Sequence, residues 1–147
     1  MRLCLPLLRR FAAINPSYLD VFHFGKGKER YCKNEGNDSF DKFFENDKRA
    51  KRIAKRFVVT LDRSIGYLGP DYELLTDVLQ VLGQKHKKYG VTSEYFKQMG
   101  NALIETLEDV LGGEENNNVT NNNKFSHDVK QSWIEVYQLF SGEMLNS

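Results

Sequence analysis

The chain has 147 residues, a net charge of +1 and a charged fraction of 28%. This length suits one hydrophobic core, so residues 1–147 are predicted to form a single domain. The nearly neutral charge gives no overall case for nucleic acid or a membrane as a partner, and no apolar segment approaches the length that spans a bilayer.

The start of the chain contains a brief apolar run that ends at Arg9 and Arg10, and no small-residue cleavage site follows a proper apolar core. They therefore lack the pattern of a signal peptide. The two cysteines, Cys4 and Cys32, are too few for a disulfide scaffold or a zinc site, so we expect free thiols. These features predict a cytoplasmic protein.

Apolar residues at helical spacing in residues 2–14 predict an amphipathic helix, which Asn15 and Pro16 end. Residues 17–24 (SYLDVFHF) predict a short, aromatic-rich helical turn. Residues 25–46 are rich in glycine, lysine and asparagine and have no steady period, so they are predicted to form a long loop.

A long amphipathic helix is predicted to begin after a cap at Asn46 or Asp47 and to end near Ile65. Residues 66–71 (GYLGPD) predict a turn. The next helix is predicted to end at Gly90, because a glycine that follows several basic residues is a common helix terminator.

Two further helices are predicted in the C-terminal part of the chain. One begins at Thr92 or Ser93 and stops at Gly112. The polar, low-complexity residues 112–125 predict a second long loop. The last helix begins near Ser126. It is expected to bury five apolar side chains, Val129, Trp133, Val136, Tyr137 and Phe140.

One histidine lies on an apolar helical stripe. The residues that share this face of the helix ending at Gly90 are Leu75, Val78, Leu79, Leu82 and His86. An imidazole that faces an apolar layer requires a hydrogen-bond partner or a metal. On the pattern alone, a core histidine with a hydrogen bond is the more common arrangement, and a metal ligand is the alternative.

Four segments, in chain order, together resemble the globin family, most closely its neuroglobin-like and invertebrate intracellular branch. They are Asn15-Pro16 with Phe22, residues 56–62 (RFVVTLD), residues 82–91 (LGQKHKKYGV), and residues 96–107 with 129–144. The resemblance implies an all-α fold with helices arranged around a haem pocket. It also implies that the first globin helix is missing, which would expose apolar surface on the helix that contains Trp133.

The resemblance further implies haem b as the cofactor and assigns roles to several residues. His86 is expected to bind the haem iron as the proximal ligand. Phe22 is expected to stack on the macrocycle, Leu82 to press on the porphyrin, and Val91 to touch its edge. Arg56 is expected to reach a haem propionate or, less favourably, a bound ligand.

The distal side departs from the family pattern. The resemblance places Ile53 where many globins carry histidine, and Ile53, Leu8 and Phe57 would form an apolar distal pocket. A missing hydrogen-bond donor forgoes about 1–3 kcal/mol of stabilisation of O₂, so faster O₂ release and weaker discrimination of O₂ over CO are expected. His23, next to Phe22, is a less favoured alternative as a sixth iron ligand, because adjacent residues of a short helix point in different directions.

The basic segment at residues 48–56 (KRAKRIAKR) is open to two interpretations. One is a surface for nucleic acid or an anionic membrane. The charges, however, surround an apolar stripe and do not replace it. A solvated helix face near the haem propionates is therefore favoured.

Three functions follow from the resemblance. The first is a globin that reversibly binds O₂ or another diatomic gas, as in oxygen transport. The second is redox chemistry at the same haem, such as NO dioxygenation or nitrite reduction. It would need a separate reductase, because nothing in the chain resembles a flavin or nicotinamide domain. The third is a degenerate globin without haem that acts as an interaction or sensor module. Gas binding is favoured over an enzyme, and no residue is placed as an acid–base catalyst.

Overall fold

The computed structural model describes residues 3–22, 46–112 and 125–147. These residues form a 3₁₀ helix and five α-helices and contain no strand, which confirms the predicted all-α class. The helices are α1 (Cys4–Ile14), the 3₁₀ helix (Pro16–Phe22), α2 (Lys48–Tyr67), α3 (Tyr72–Lys88), α4 (Ser93–Leu111) and α5 (His127–Leu145). Of the two predicted long loops, at 25–46 and 112–125, only the flanking residues lie inside the described ranges.

Side-chain caps fix the start of three helices. Asp47 caps α2, because its carboxylate accepts hydrogen bonds from the backbone N–H groups of Arg49 and Ala50 at 2.7 and 2.8 Å. Asp71 caps α3 through the N–H of Leu74 at 3.2 Å. Ser126 caps α5 in the same way. These bonds satisfy donors that have no partner within the helix.

α2 is longer than the sequence pattern predicts. Gly66 and Tyr67 were expected to begin the turn, but both are helical. The turn begins at Leu68, whose N–H donates to the carbonyl of Ile65 at 3.0 Å. Gly69 then adopts a φ of 96°, the left-handed conformation that breaks the helix. A glycine commonly ends a helix by taking a positive φ. Gly66 does not take a positive φ, so the helix continues through it.

The core has one part around α1 and another around α5. Leu8 and Ala12 of α1 are buried against Ala50 and Ala54 of α2, and the neighbouring face of α1 packs on α4. α5 packs on α3 and α4. Both parts include contacts to α4, which packs on α1 and on α5.

α2 and α3 meet near the turn that joins them. Leu61 and Ile65 of α2 pack against a buried cluster formed by Leu75, Leu79 and Phe140. Apolar burial therefore holds the adjoining ends of the two helices together. Among the described helices, none is long and apolar enough to cross a membrane.

The buried face of α5 differs from the prediction at its first turn. Phe140 is buried, whereas Trp133 and Tyr137 are half-buried. Val129, which was expected to be buried, is 36% exposed. Phe125, just before the helix, is buried in the cluster around α1 and α4, and Trp133 and Tyr137 pack against the same cluster.

Candidate haem-binding site

The end of α3 is fixed by a hydrogen-bonded turn that includes His86. Gly90 has a φ of 78°, and its N–H donates to the carbonyl of Lys87 at 3.0 Å. The N–H of Val91 donates to the carbonyl of His86 at 3.1 Å. This pair of bonds is the Schellman motif, in which a left-handed glycine closes a helix. It places Val91 immediately beyond the last turn of α3, which contains His86.

Replacing Gly90 with alanine is expected to lower the free energy of unfolding by about 1–2 kcal/mol, because a β-carbon in the left-handed conformation crowds the following carbonyl oxygen. Gly90→Asn should lose less, since asparagine tolerates this conformation better. Chemical denaturation of the two variants beside the wild-type chain would measure the difference. Equal stability of all three chains would contradict the assignment of Gly90 as the helix terminator.

The imidazole of His86 is half-buried and makes one hydrogen bond to its own helix. Its Nδ1 lies 2.8 Å from the carbonyl oxygen of Leu82. A carbonyl oxygen only accepts, so Nδ1 carries the proton in this bond and Nε2 of the neutral ring carries the lone pair. The bond satisfies one nitrogen and leaves the other able to bind a metal. The imidazole can thus make a hydrogen bond through Nδ1 and bind a metal through Nε2 at the same time, so the two alternatives considered from the sequence do not exclude each other.

The structure brings together Leu8 and Ile53, which were expected in the distal pocket, and Phe22, which was expected to stack on the macrocycle. Leu8, Ile53 and Phe22 belong to one apolar cluster formed by α1, α2 and the 3₁₀ helix. Phe22 also packs edge-to-face on Phe11, with ring centroids 6.3 Å apart. Phe57 lies in the neighbouring cluster, against which Phe22 packs as well. Side chains of this kind offer no hydrogen-bond donor.

A shallow cavity of about 320 Å³, largely open to solvent, lies between α2 and α3. Its lining residues are Thr60, Asp77, Val78, Val81, Leu82 and Lys85. Of the residues expected at the site, only Leu82 lines it. His86 lies one helical turn beyond Leu82, to which it is hydrogen-bonded.

Thr60 and Asp77 were not anticipated as lining residues. Thr60 lies seven residues after Ile53, and therefore on the same face of α2, so helical spacing could have identified it. Asp77 has no comparable signal, because it is an exposed residue next to Val78. It lines the cavity because the packing of α3 beside α2 places Asp77 on the same cavity wall as Val78 and Val81.

The remaining expected residues lie outside this arrangement. Arg56 is exposed, as are the other basic residues of segment 48–56. Exposure is common to both interpretations of that segment, so the solvated helix face stays a prediction. Val91 is half-buried beside the end of α3. His23 lies outside the described residues.

The sequence is similar to known proteins over nearly its whole length. The family model described as Globin matches residues 7–144. The chain is 24% identical to neuroglobin from Tetraodon nigroviridis, 24% to neuroglobin from Dissostichus mawsoni and 23% to neuroglobin from Chaenocephalus aceratus, each over 140 residues. These alignments cover 94% of this chain and 74% of each relative. Because the family match spans nearly all of the sequence and the fold is all-helical, the chain belongs to the globin family.

Proposed function

We propose that this globin holds haem b through His86 and reversibly binds O₂ or another diatomic gas. The observation that carries the proposal is the hydrogen bond from Nδ1 of His86 to the carbonyl of Leu82. It leaves Nε2 as the metal-binding nitrogen, one turn from a cavity between two helices. Membership of the globin family supports the same cofactor and the same class of ligand.

The residues present fit a haem group. A neutral imidazole nitrogen is a common ligand of haem iron. Metal-bound histidines usually donate their other N–H to a carbonyl or carboxylate, which fixes the tautomer and orients the ring. His86 already has this bond in the chain by itself. An apolar cluster at Leu8, Ile53 and Phe22 suits a largely apolar ligand.

Haem, when bound, supplies the iron atom that coordinates a diatomic gas reversibly. The chain's own contribution is binding, orientation and exclusion of water. His86 would hold the iron, while the apolar side chains of Leu8, Ile53 and Phe57 would keep polar groups away from the opposite side. Arg56, exposed on α2, remains the residue proposed for a haem propionate.

Optical spectra of the purified protein supplied with haem test the proposal. The ferrous form is expected to be five-coordinate, because α2 contains no histidine, and its Soret band should shift when CO is added. Retention of haem through gel filtration would support the proposal. A folded helical chain that retains no haem would overturn it and would favour an interaction module.

Ile53→Gln is expected to slow O₂ dissociation by about 5- to 150-fold, because the amide would supply a hydrogen bond worth about 1–3 kcal/mol to a polar bound gas. CO dissociation should change much less, since CO is less polar. Flash photolysis and stopped-flow mixing would measure both rates. Val59→Gln is the matched control, because Val59 is on the same helix but 38% exposed. If both glutamines changed O₂ release equally, Ile53 would not line the distal pocket.

A further inference from the structure

Tyr137 joins α5 to the beginning of α4, close to His86. Its hydroxyl donates a hydrogen bond of 2.7 Å to the backbone carbonyl of Phe96. Burial raises the pKa of the Tyr137 hydroxyl above its ordinary value, so the group stays protonated and remains a donor. This bond attaches the first turns of α4 to the last helix.

Gly100 allows Tyr137 to lie directly on the backbone of α4. A β-carbon at position 100 would be 2.5 Å from Cε1 and 2.8 Å from Cδ1 of the tyrosine ring. No side chain larger than hydrogen fits there without displacing the ring. The ring of Tyr137 is therefore held by the helix surface at Gly100 and its hydroxyl by Phe96, one helical turn earlier.

Phe96 in turn packs against His86. The centroids of the two rings are 5.5 Å apart, with an angle of 37° between their planes. Phe96 is only 8% exposed, so its ring has little freedom to move away. The imidazole thus has two restraints, the Leu82 carbonyl at Nδ1 and the Phe96 ring beside it.

α5 supports both helices that carry these rings. A β-carbon at Gly83, three residues before His86, would be 2.7 Å from the Cα of Met144, so α3 lies directly on the backbone of α5. Tyr137, on the same helix, holds α4. α5 therefore contacts both the helix that contains His86 and the helix that contains Phe96.

We propose that Tyr137 is a positioning residue for His86: by holding the Phe96 carbonyl, it keeps the Phe96 ring where it limits rotation of the imidazole. The inference rests on the proposed function, in which His86 binds haem iron. A ring that is oriented before it binds metal loses less freedom on binding, so its bond to iron is more persistent.

Tyr137→Phe tests this inference, because it removes one hydroxyl and keeps the ring. In the haem-free protein, ¹⁵N NMR of the His86 ring should show shifted and broadened signals. In the ferrous haem protein, the iron–histidine stretching band in resonance Raman spectra should shift and broaden. Haem loss should become about three- to tenfold faster, the effect of one hydrogen bond.

Thr106→Val is the matched control. Its hydroxyl is buried in α4, the helix that contains Phe96, and donates to the carbonyl of Ala102 at 2.6 Å. Thr106→Val is expected to lower the free energy of unfolding about as much as Tyr137→Phe does, but to leave the His86 signals unchanged. Phe96→Leu should reproduce the spectral changes, and adding Tyr137→Phe to it should change them little further.

Two results would separate failure of this inference from failure of the proposed function. If Tyr137→Phe leaves the His86 signals and the Raman band as in the wild-type chain, or alters them no more than Thr106→Val does, Tyr137 has only a structural role. If the wild-type chain retains no haem, the proposed function fails. The NMR comparison of haem-free proteins still decides whether Tyr137 orients His86.

Discussion

His86→Gly is expected to lower the affinity for haem by more than about a hundredfold. The reason is that even residues that only support a metal ligand typically contribute 10- to 100-fold in affinity. Nε2 of His86 is the only proposed protein ligand, because Nδ1 is engaged by the Leu82 carbonyl. Haem transfer to apomyoglobin, followed by absorbance, would measure the loss.

Added imidazole provides a direct check on that interpretation. It can occupy the space left in His86→Gly and restore the axial ligand, so haem retention and the five-coordinate ferrous spectrum should recover. His127→Gly is the matched control, because His127 is exposed at the start of α5, and it should bind haem like the wild-type chain. Undiminished haem binding by His86→Gly would show that another residue holds the iron.

Gly83→Ala is expected to destabilise the fold by about 1–3 kcal/mol or more, as overpacking in a core does. The new methyl group would collide with the carbonyl oxygen of Met144 and lie 2.7 Å from its Cα. These are backbone atoms of α5, so they cannot move aside without shifting the whole helix. Because Gly83 is one turn before His86, haem loss should also become faster.

Two other glycines serve as controls for Gly83→Ala. A β-carbon added at Gly66 in α2 or at Gly142 in α5 would meet no atom from elsewhere in the described residues within 4 Å. Alanine at either site should stabilise the protein by about 0.5–1 kcal/mol, because alanine loses less backbone freedom in a helix than glycine. Denaturant unfolding of the three variants would separate them. A Gly83→Ala chain as stable as the controls would mean that α3 and α5 do not approach so closely.

Much of the fold was predictable from local patterns. Asp47 caps its helix and the last helix begins next to Ser126, as the sequence indicates, and Gly90 closes α3 in the left-handed conformation expected of a terminating glycine. These features depend on interactions within a few residues, which sequence reports directly. The spacing of His86 and Leu82 on one helical face also follows from periodicity, and the order of four motifs pointed to the globin family.

The errors occurred where local signals compete. Gly66 and Gly69 both lie in a segment with the composition of a turn, but only Gly69 takes a positive φ. Val129 has the spacing of a buried residue, but it is 36% exposed, whereas Phe125, just before the helix, is buried. In each case two residues a few positions apart carry the same local signal, and the local pattern does not distinguish between them.

Sequence by itself therefore determined most of the helices, the place of His86 on an apolar helical face, and the apolar character of Leu8 and Ile53. The tertiary structure alone decided which side chains surround that histidine. Phe96 lies against His86, and Tyr137 holds Phe96 from 41 residues further along the chain. Such contacts depend on how helices cross, which is set by the fit of side chains distant in sequence and not by the periodicity of any one helix.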